Sequence, residues 1–305
     1  MFSGPIRRML LPAVLAAASV VVVLGASASA GATYPTCLGE PATIVGTDGN
    51  DNLTGTDGND VIAALGGDDV VNGGGGLDMI CGGDGNDTLI ATTGGNSFFD
   101  AAMISGDAGD DRIQGARGTL VEASYEGSPE PVNVNLTTGA ETGWGNDTLV
   151  GVTIVDGSRL NDVLTGSARQ DGLYGGPGND TLSGLAGNDW LGGGLGADNI
   201  DGGTGRDWLD YYDATTAVRV GLGKHTASRG AGADTFRSVE MVYGSRFADV
   251  LVGGPGPDRL DGNAGNDKLY GGGGRDELNG GKGKDFADGG PARDVCRAET
   301  RVHCP

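Results

Sequence analysis

The chain has 305 residues, 62 of them glycine, with 41 acidic against 20 basic side chains and a formal net charge of -21. Glycine at that level, without a three-residue period or abundant proline, excludes a collagen helix and leaves either a repeat solenoid or a disordered chain. The acidity excludes nucleic acid and anionic membrane surfaces as partners and makes cations the natural ones.

Residues 1–30 have the pattern of a secretory signal peptide: Arg7 and Arg8, an apolar run from Met9 to Leu24, then small residues ending in Ala28-Ser29-Ala30. Cleavage is expected after Ala30. The run is short and no stop-transfer charge cluster follows, so a membrane anchor is the weaker reading. Without a later apolar span, the mature protein is expected to be secreted, with no membrane insertion. Residues 31–45 are expected to form an N-terminal cap.

From residue 46 a nine-residue period begins. The repeats GTDGNDNLT, GTDGNDVIA, ALGGDDVVN, GGGGLDMIC and GGDGNDTLI place aspartates at Asp51, Asp60, Asp69, Asp78 and Asp87. Residues 91–105 break the period, and one further repeat restores it around Asp111. A second run from Gly157 to Asp210 carries Asp162, Asp171, Asp180, Asp189, Asp198 and Asp207, with Leu164, Leu173, Leu182, Leu191, Ile200 and Leu209 two residues after each. A third run from Gly244 to Arg297 carries Asp249, Asp258, Asp267, Asp276, Asp285 and Asp294. An apolar residue recurring every ninth position suits a coil of short turn-plus-strand repeats rather than a helix. Glycine permits positive φ and lets carbonyls crowd round an ion, and aspartate adds a hard oxygen ligand of the kind calcium takes.

These repeats resemble the glycine-rich nonapeptide of RTX (hemolysin-type) calcium-binding proteins, G-G-x-G-x-D-x-U-x with U a large aliphatic residue. The resemblance covers most of the mature chain in three phase-locked runs. It implies an all-β fold, a parallel β-roll in which G-G-x-G-x-D forms a turn, the next three residues a strand, and two repeats one coil. It implies multiple calcium ions between turns of adjacent coils, held by main-chain carbonyls and the sixth-position aspartates. There would be roughly two fewer ions than repeats in each unbroken run, or on the order of ten in all. The metal ligands expected on this basis are Asp51, Asp60, Asp69, Asp78, Asp87, Asp111, Asp162, Asp171, Asp180, Asp189, Asp198, Asp207, Asp249, Asp258, Asp267, Asp276 and Asp285. Leu160, Arg169, Phe247 and Ala292 replace the fourth-position glycine, so the ions nearest Asp162, Asp171, Asp249 and Asp294 are expected to be the least secure.

The chain therefore divides into a first array (46–114), a spacer (115–156), a second array (157–210), a spacer (211–243), a third array (244–297) and a C-terminal cap (298–305). The spacers resemble each other: Val132, Val134 and Leu136 correspond to Val218, Val220 and Leu222, and Asp147 to Asp234. Their alternation predicts half-buried strands in a wider coil that continues the stack. Four cysteines fit an oxidising compartment and allow three pairings. A Cys37–Cys81 bridge could staple the entry to the roll, and Cys296–Cys304 could clasp the exit, because the end coils of a solenoid need caps.

Each repeat buries about one aliphatic side chain, contributing roughly 1.5 to 3 kcal/mol, while ordering nine residues costs about 1 to 2 kcal/mol each. Folding is therefore expected to depend on calcium. Only His225 and His303 are available for histidine chemistry, no nucleophile turn occurs, and the spacers are short for a separate catalytic domain, so no enzyme is expected. Two alternatives stand beside this reading: a carbohydrate or cell-surface adhesion module using Trp190 and Trp208, with glycans or cell-envelope components as partners, and a degradative enzyme with its site on the roll.

Overall fold

The computed structural model describes residues 22–23, 35–93, 100–116, 118–228 and 232–304. The signal-peptide reading therefore lies outside the described residues, apart from Val22–Val23, which pairs in parallel with Ile44–Val45. Among the described residues every regular element is a short β-strand except a single 3₁₀ turn at Leu222–Lys224. Among those residues no helix is long and apolar enough to cross a membrane. The chain separates into two compact units, Met1–Ser158 and Arg159–Pro305.

Each unit is a parallel β-roll. In the first, Ile44–Val45, Val61–Gly66, Met79–Asp84, Ala102–Ala108, Val121–Ser124 and Ile154–Asp156 form one parallel sheet. Asn52–Thr54, Val70–Asn72, Thr88–Ala91, Arg112–Gly115 and Thr148–Val150 form the other. Successive strands of a sheet come from alternate repeats, as Leu53 beside Val71 beside Leu89 demonstrates, so two nonapeptides complete a coil. The second unit repeats the plan, with Leu173 beside Leu191 beside Leu209 on one sheet and Leu164 beside Leu182 beside Ile200 on the other.

The reason lies in the triplet that follows each aspartate. A three-residue strand points one side chain inward, and that is always the aliphatic one; Leu164, Leu173, Leu182, Leu191, Ile200 and Leu209 are all buried. Cys296 takes this slot in the last repeat, beside Leu278.

The interruptions are absorbed without breaking the stack. The break at 91–105 lengthens one coil, so Ile104 pairs with Ile80 rather than with a residue 18 positions away. Each spacer adds an antiparallel excursion, Asn133–Asn135 against Ala140–Thr142 in the first unit and Arg219–Gly221 against Thr226–Ser228 in the second. Both then rejoin parallel pairing, at Thr148–Val150 and at Thr235–Arg237. Val132, Val134, Val218, Val220 and Leu222 are buried, and Leu136 is half-buried. Both disulfides expected from the cysteine positions are present, Cys37–Cys81 and Cys296–Cys304. Cys37 is fully buried with Met79, Cys81 and Met103.

Candidate metal centres

The turns are shaped by what glycine leaves out. A Cβ on Gly262 would lie 2.6 Å from Asp267 Oδ2 and 2.8 Å from the Gly280 carbonyl oxygen, so a carboxylate and the carbonyl of the next coil face one small space. The same pair of oxygens, Asp276 Oδ2 and the Gly289 carbonyl, crowds Gly271. Within the turn at 280–285, Gly281 and Gly283 have φ of 87° and 153°, and a Cβ on either would strike the carbonyl of Asn263 or Gly265 in the preceding coil. Only glycine takes these angles and lets carbonyl oxygens of one turn approach the backbone of the next.

The aspartates form ladders along the turn edges. The N–H of Asp51 donates to Asp69 Oδ1 at 2.7 Å, that of Asp60 to Asp78 at 3.1 Å and that of Asp69 to Asp87 at 2.8 Å. In the second unit Asp162, Asp171, Asp180 and Asp189 donate to Asp180, Asp189, Asp198 and Asp207, and Asp249, Asp258, Asp267 and Asp276 to Asp267, Asp276, Asp285 and Asp294, all at 2.8–2.9 Å. The ladder runs through the lengthened coils as well, from Asp87 to Asp111, from Asp111 to Asp147 and from Asp198 to Asp234. One oxygen of each receiving carboxylate is thus spent on the backbone.

The second oxygen divides the aspartates into two groups. Oδ2 of Asp69, Asp78, Asp87, Asp111, Asp180, Asp189, Asp198, Asp207, Asp267, Asp276, Asp285 and Asp294 is buried with no hydrogen-bond partner. In the other group the turn's own second residue takes it. The amide and hydroxyl of Thr47 donate to Asp51 Oδ2 at 2.6 and 2.9 Å, those of Thr56 to Asp60 Oδ2 at 2.6 and 2.9 Å, and those of Ser167 to Asp171 Oδ2 at 2.6 and 2.7 Å. Ser245 donates its amide to Asp249 Oδ2 and its hydroxyl to Asp249 Oδ1, each at 2.7 Å, and Gly254 gives Asp258 Oδ2 an amide alone at 2.6 Å. Asp171 still keeps a buried Oδ1 without a partner. Asp162 is buried in the ladder, its carbonyl accepting from Thr181.

Burying this many carboxylates in rows raises their proton affinity. Desolvation, partly offset by the amide hydrogen bond and reinforced by repulsion from the next aspartate, pushes Asp78, Asp111, Asp180, Asp189, Asp198 and Asp267 up to about 7. Asp87 and Asp258 rise to about 6 for the same reasons. Burial and the neighbouring Asp147 carry Glu141 to about 8. A ladder of this kind needs protons or cations to be comfortable.

Five acidic residues join the ladders beyond those expected as ligands. Asp147 and Asp234 enter from the spacers, and their correspondence in the sequence was the available signal. Glu240 Oε2 accepts from the Asp207 amide at 3.2 Å and Glu299 Oε2 from the Asp285 amide at 2.8 Å. Glu299 lies off the nine-residue phase, but Glu240 falls nine residues before Asp249 with the buried Val242 two residues on, so the phase of the third array was a signal for it. The fifth, Asp294, follows the phase of the third array, accepts from the Asp276 amide and has the same unpartnered Oδ2 as the expected ligands around it.

These oxygens fit calcium. The donors are hard, each turn supplies a carboxylate oxygen and carbonyls, and calcium takes six to eight such ligands. Among the described residues no three histidine, cysteine, aspartate or glutamate side chains converge on a common point, so carbonyls would have to complete each ligand set. Bound there, the ion would neutralise the carboxylate row.

A parallel β-roll with stacked glycine turns and a row of buried carboxylates, most of them half-satisfied, defines a calcium-binding repeat protein. The RTX calcium-binding nonapeptide repeat (4 copies) matches residues 45–80, 82–100, 103–119, 156–191, 174–209, 243–278 and 270–298, more than half of the chain, and the protein belongs to that family. No curated protein matches the chain.

Four aromatic residues of the second unit, Trp190, Trp208, Tyr212 and Tyr243, form one half-buried cluster. Trp190 and Trp208 stack at 5.0 Å between centroids, Tyr212 and Tyr243 at 5.9 Å, and Tyr243 meets both tryptophans edge-on or tilted. Arg259 lies over Trp208 at 5.2 Å and Arg246 over Tyr212 at 5.9 Å.

Proposed function

We propose that this chain is a secreted, non-enzymatic calcium-binding protein whose folding is coupled to the ions it binds. The observation that carries the reading is the set of buried Oδ2 atoms, Asp69 to Asp294, that the fold leaves without partners. An unpaired buried carboxylate oxygen costs free energy comparable to or above a lost hydrogen bond, and repeated along a ladder it disfavours the metal-free roll. Calcium supplies the missing partner at every such turn.

A structural rather than catalytic role is supported by how the chain is spent. Both spacers are drawn into the sheets as hairpins and parallel strands instead of folding apart. Secretion is supported by the two disulfides, which belong to an oxidising compartment, together with the leader-like residues 1–30. The glycan-binding alternative gains less: sugars stack on open ring faces, whereas Trp208 and Tyr212 cover theirs with neighbouring rings and arginines.

Far-ultraviolet circular dichroism of the mature chain, titrated with calcium and then with magnesium after chelation, tests the coupling. A coil-to-β transition with calcium alone is expected, because magnesium is smaller, demands octahedral geometry and gives up its water reluctantly. A β-rich spectrum in chelator that calcium does not alter would reject the proposal.

A further inference from the structure

The carboxylates whose second oxygen is satisfied by a hydroxyl are not scattered. They head the arrays: Asp51 and Asp60 are locked by Thr47 and Thr56 and Asp171 by Ser167, while Ser245 closes Asp249 with both its groups, the hydroxyl on Oδ1 and the amide on Oδ2. From the third repeat of each array onward, the second position is no longer serine or threonine in any repeat whose Oδ2 is unpartnered.

The spacers supply the same lock from a distance. The Tyr125 hydroxyl donates to Asp147 Oδ2 at 3.0 Å, across 22 residues, and the Tyr211 hydroxyl to Asp234 Oδ2 at 2.9 Å, across 23 residues. Both tyrosines are buried, and their aspartates keep the ladder function of Oδ1, accepting from the Asp111 and Asp198 amides. The two sites are equivalent positions of the internal repeat, so the lock occurs once in each compact unit.

We propose that a hydroxyl takes the place of a calcium ion at these rungs, so that each unit contains turns complete without metal, on which the ion-requiring turns are stacked. The inference rests on the calcium-coupled reading above and deepens it by dividing the ladder into two classes of rung. In the first unit the metal-free rungs are Asp51, Asp60 and Asp147; in the second they are Asp234 and Asp249, with Asp171 half-locked by its free Oδ1. A charge-assisted hydrogen bond from a hydroxyl of the chain itself needs no ion. Removing calcium should therefore melt the chain unevenly.

Hydrogen exchange followed peptide by peptide, on the full mature chain in chelator and in calcium, tests this. In chelator, Arg219–Gly221 and Thr235–Arg237, which flank the Tyr211–Asp234 lock, are expected to keep protection that Lys268–Tyr270 and Glu277–Asn279 lose. Tyr211→Phe keeps the ring and removes the hydroxyl. It should lower the chelator-state protection at Thr235–Arg237 roughly tenfold to a hundredfold, the range for a hydrogen bond to a charged group, and leave the calcium form folded. Should that variant fail to fold even in calcium, Tyr125→Phe makes the same test at Thr148–Val150 in the first unit. Equal loss of protection at both kinds of segment in chelator, with recovery in calcium, would overturn the inference while leaving calcium-coupled folding intact. Full protection everywhere in chelator would overturn both.

Discussion

A sixth-position aspartate in this chain does two things with two oxygens. Along the ladders Oδ1 accepts the amide of an aspartate one coil back, and Oδ2 either is buried without a partner or is held by a serine, threonine or tyrosine hydroxyl or by the turn's own amide. Because burial raises Asp78, Asp111, Asp180, Asp189, Asp198 and Asp267 to about 7, the metal-free fold binds protons that the unfolded chain has already released. Stability from these groups is present below the unfolded value near 4 and is lost as pH rises to about 7. Metal-free protein should therefore show more β-structure by circular dichroism near about pH 5 than near about pH 8. Calcium must displace those protons, so its apparent affinity should fall as pH drops below about 7. Identical metal-free spectra at the two pH values would mean that the ladder carboxylates are not desolvated as the structure places them. The dual use of each aspartate was only half legible in the sequence. The period at Asp180, Asp189 and Asp198 pointed to ligands, but which oxygen was free depended on a neighbour at the second position, such as Ser167, whose role the aspartate period does not mark. Glu299 left no periodic trace, since it meets Asp285 at an offset of 14 residues; Glu240 keeps the phase of the third array, nine residues before Asp249, but meets Asp207 of the second at an offset of 33.

At the level of the coil, the aliphatic column does what the metal cannot. Leu191 lies between Leu173 and Leu209 with no exposed surface, and a three-residue strand offers no second inward side chain to compensate for its loss. Leu191→Ala is expected to cost about 2–5 kcal/mol in chemical denaturation of the calcium-saturated protein. Thr181→Ala, at an exposed position of a neighbouring strand, should stay within about 0.5 kcal/mol. Equal effects would show that the turns alone carry the roll. This element was the most legible of all, since an apolar residue every nine positions admits few alternatives to an inward-facing strand. The spacers were less so: alternation at Val132, Val134, Val218 and Val220 announced strands, but the antiparallel sense of the hairpins depends on turns at Gly139 and His225, both in the left-handed region, that no repeat rule predicts.

For the whole molecule, a net charge of -21 opposes compaction, and the ends of a solenoid have no neighbour to satisfy them. The two disulfides act on those ends with different leverage. Cys37–Cys81 spans 44 residues and Cys296–Cys304 spans 8, so in the chain-entropy picture they are worth about 4 and about 2.5 kcal/mol respectively. Cys37 is also wholly buried with Met79, Cys81 and Met103, whereas Cys304 is only half-buried. Because calcium binding and folding are linked, lost stability must be made up by more free calcium. The double variant Cys37→Ala/Cys81→Ala should therefore shift the midpoint of the calcium-induced circular dichroism transition to higher calcium, and by more than Cys296→Ala/Cys304→Ala does. Unchanged midpoints in both variants would mean that the ions, and not the clasps, hold the ends of the roll. A larger shift from the C-terminal pair would place the cooperative core of the transition next to Cys296, in the last coil, where its side chain fills the aliphatic slot beside Leu278.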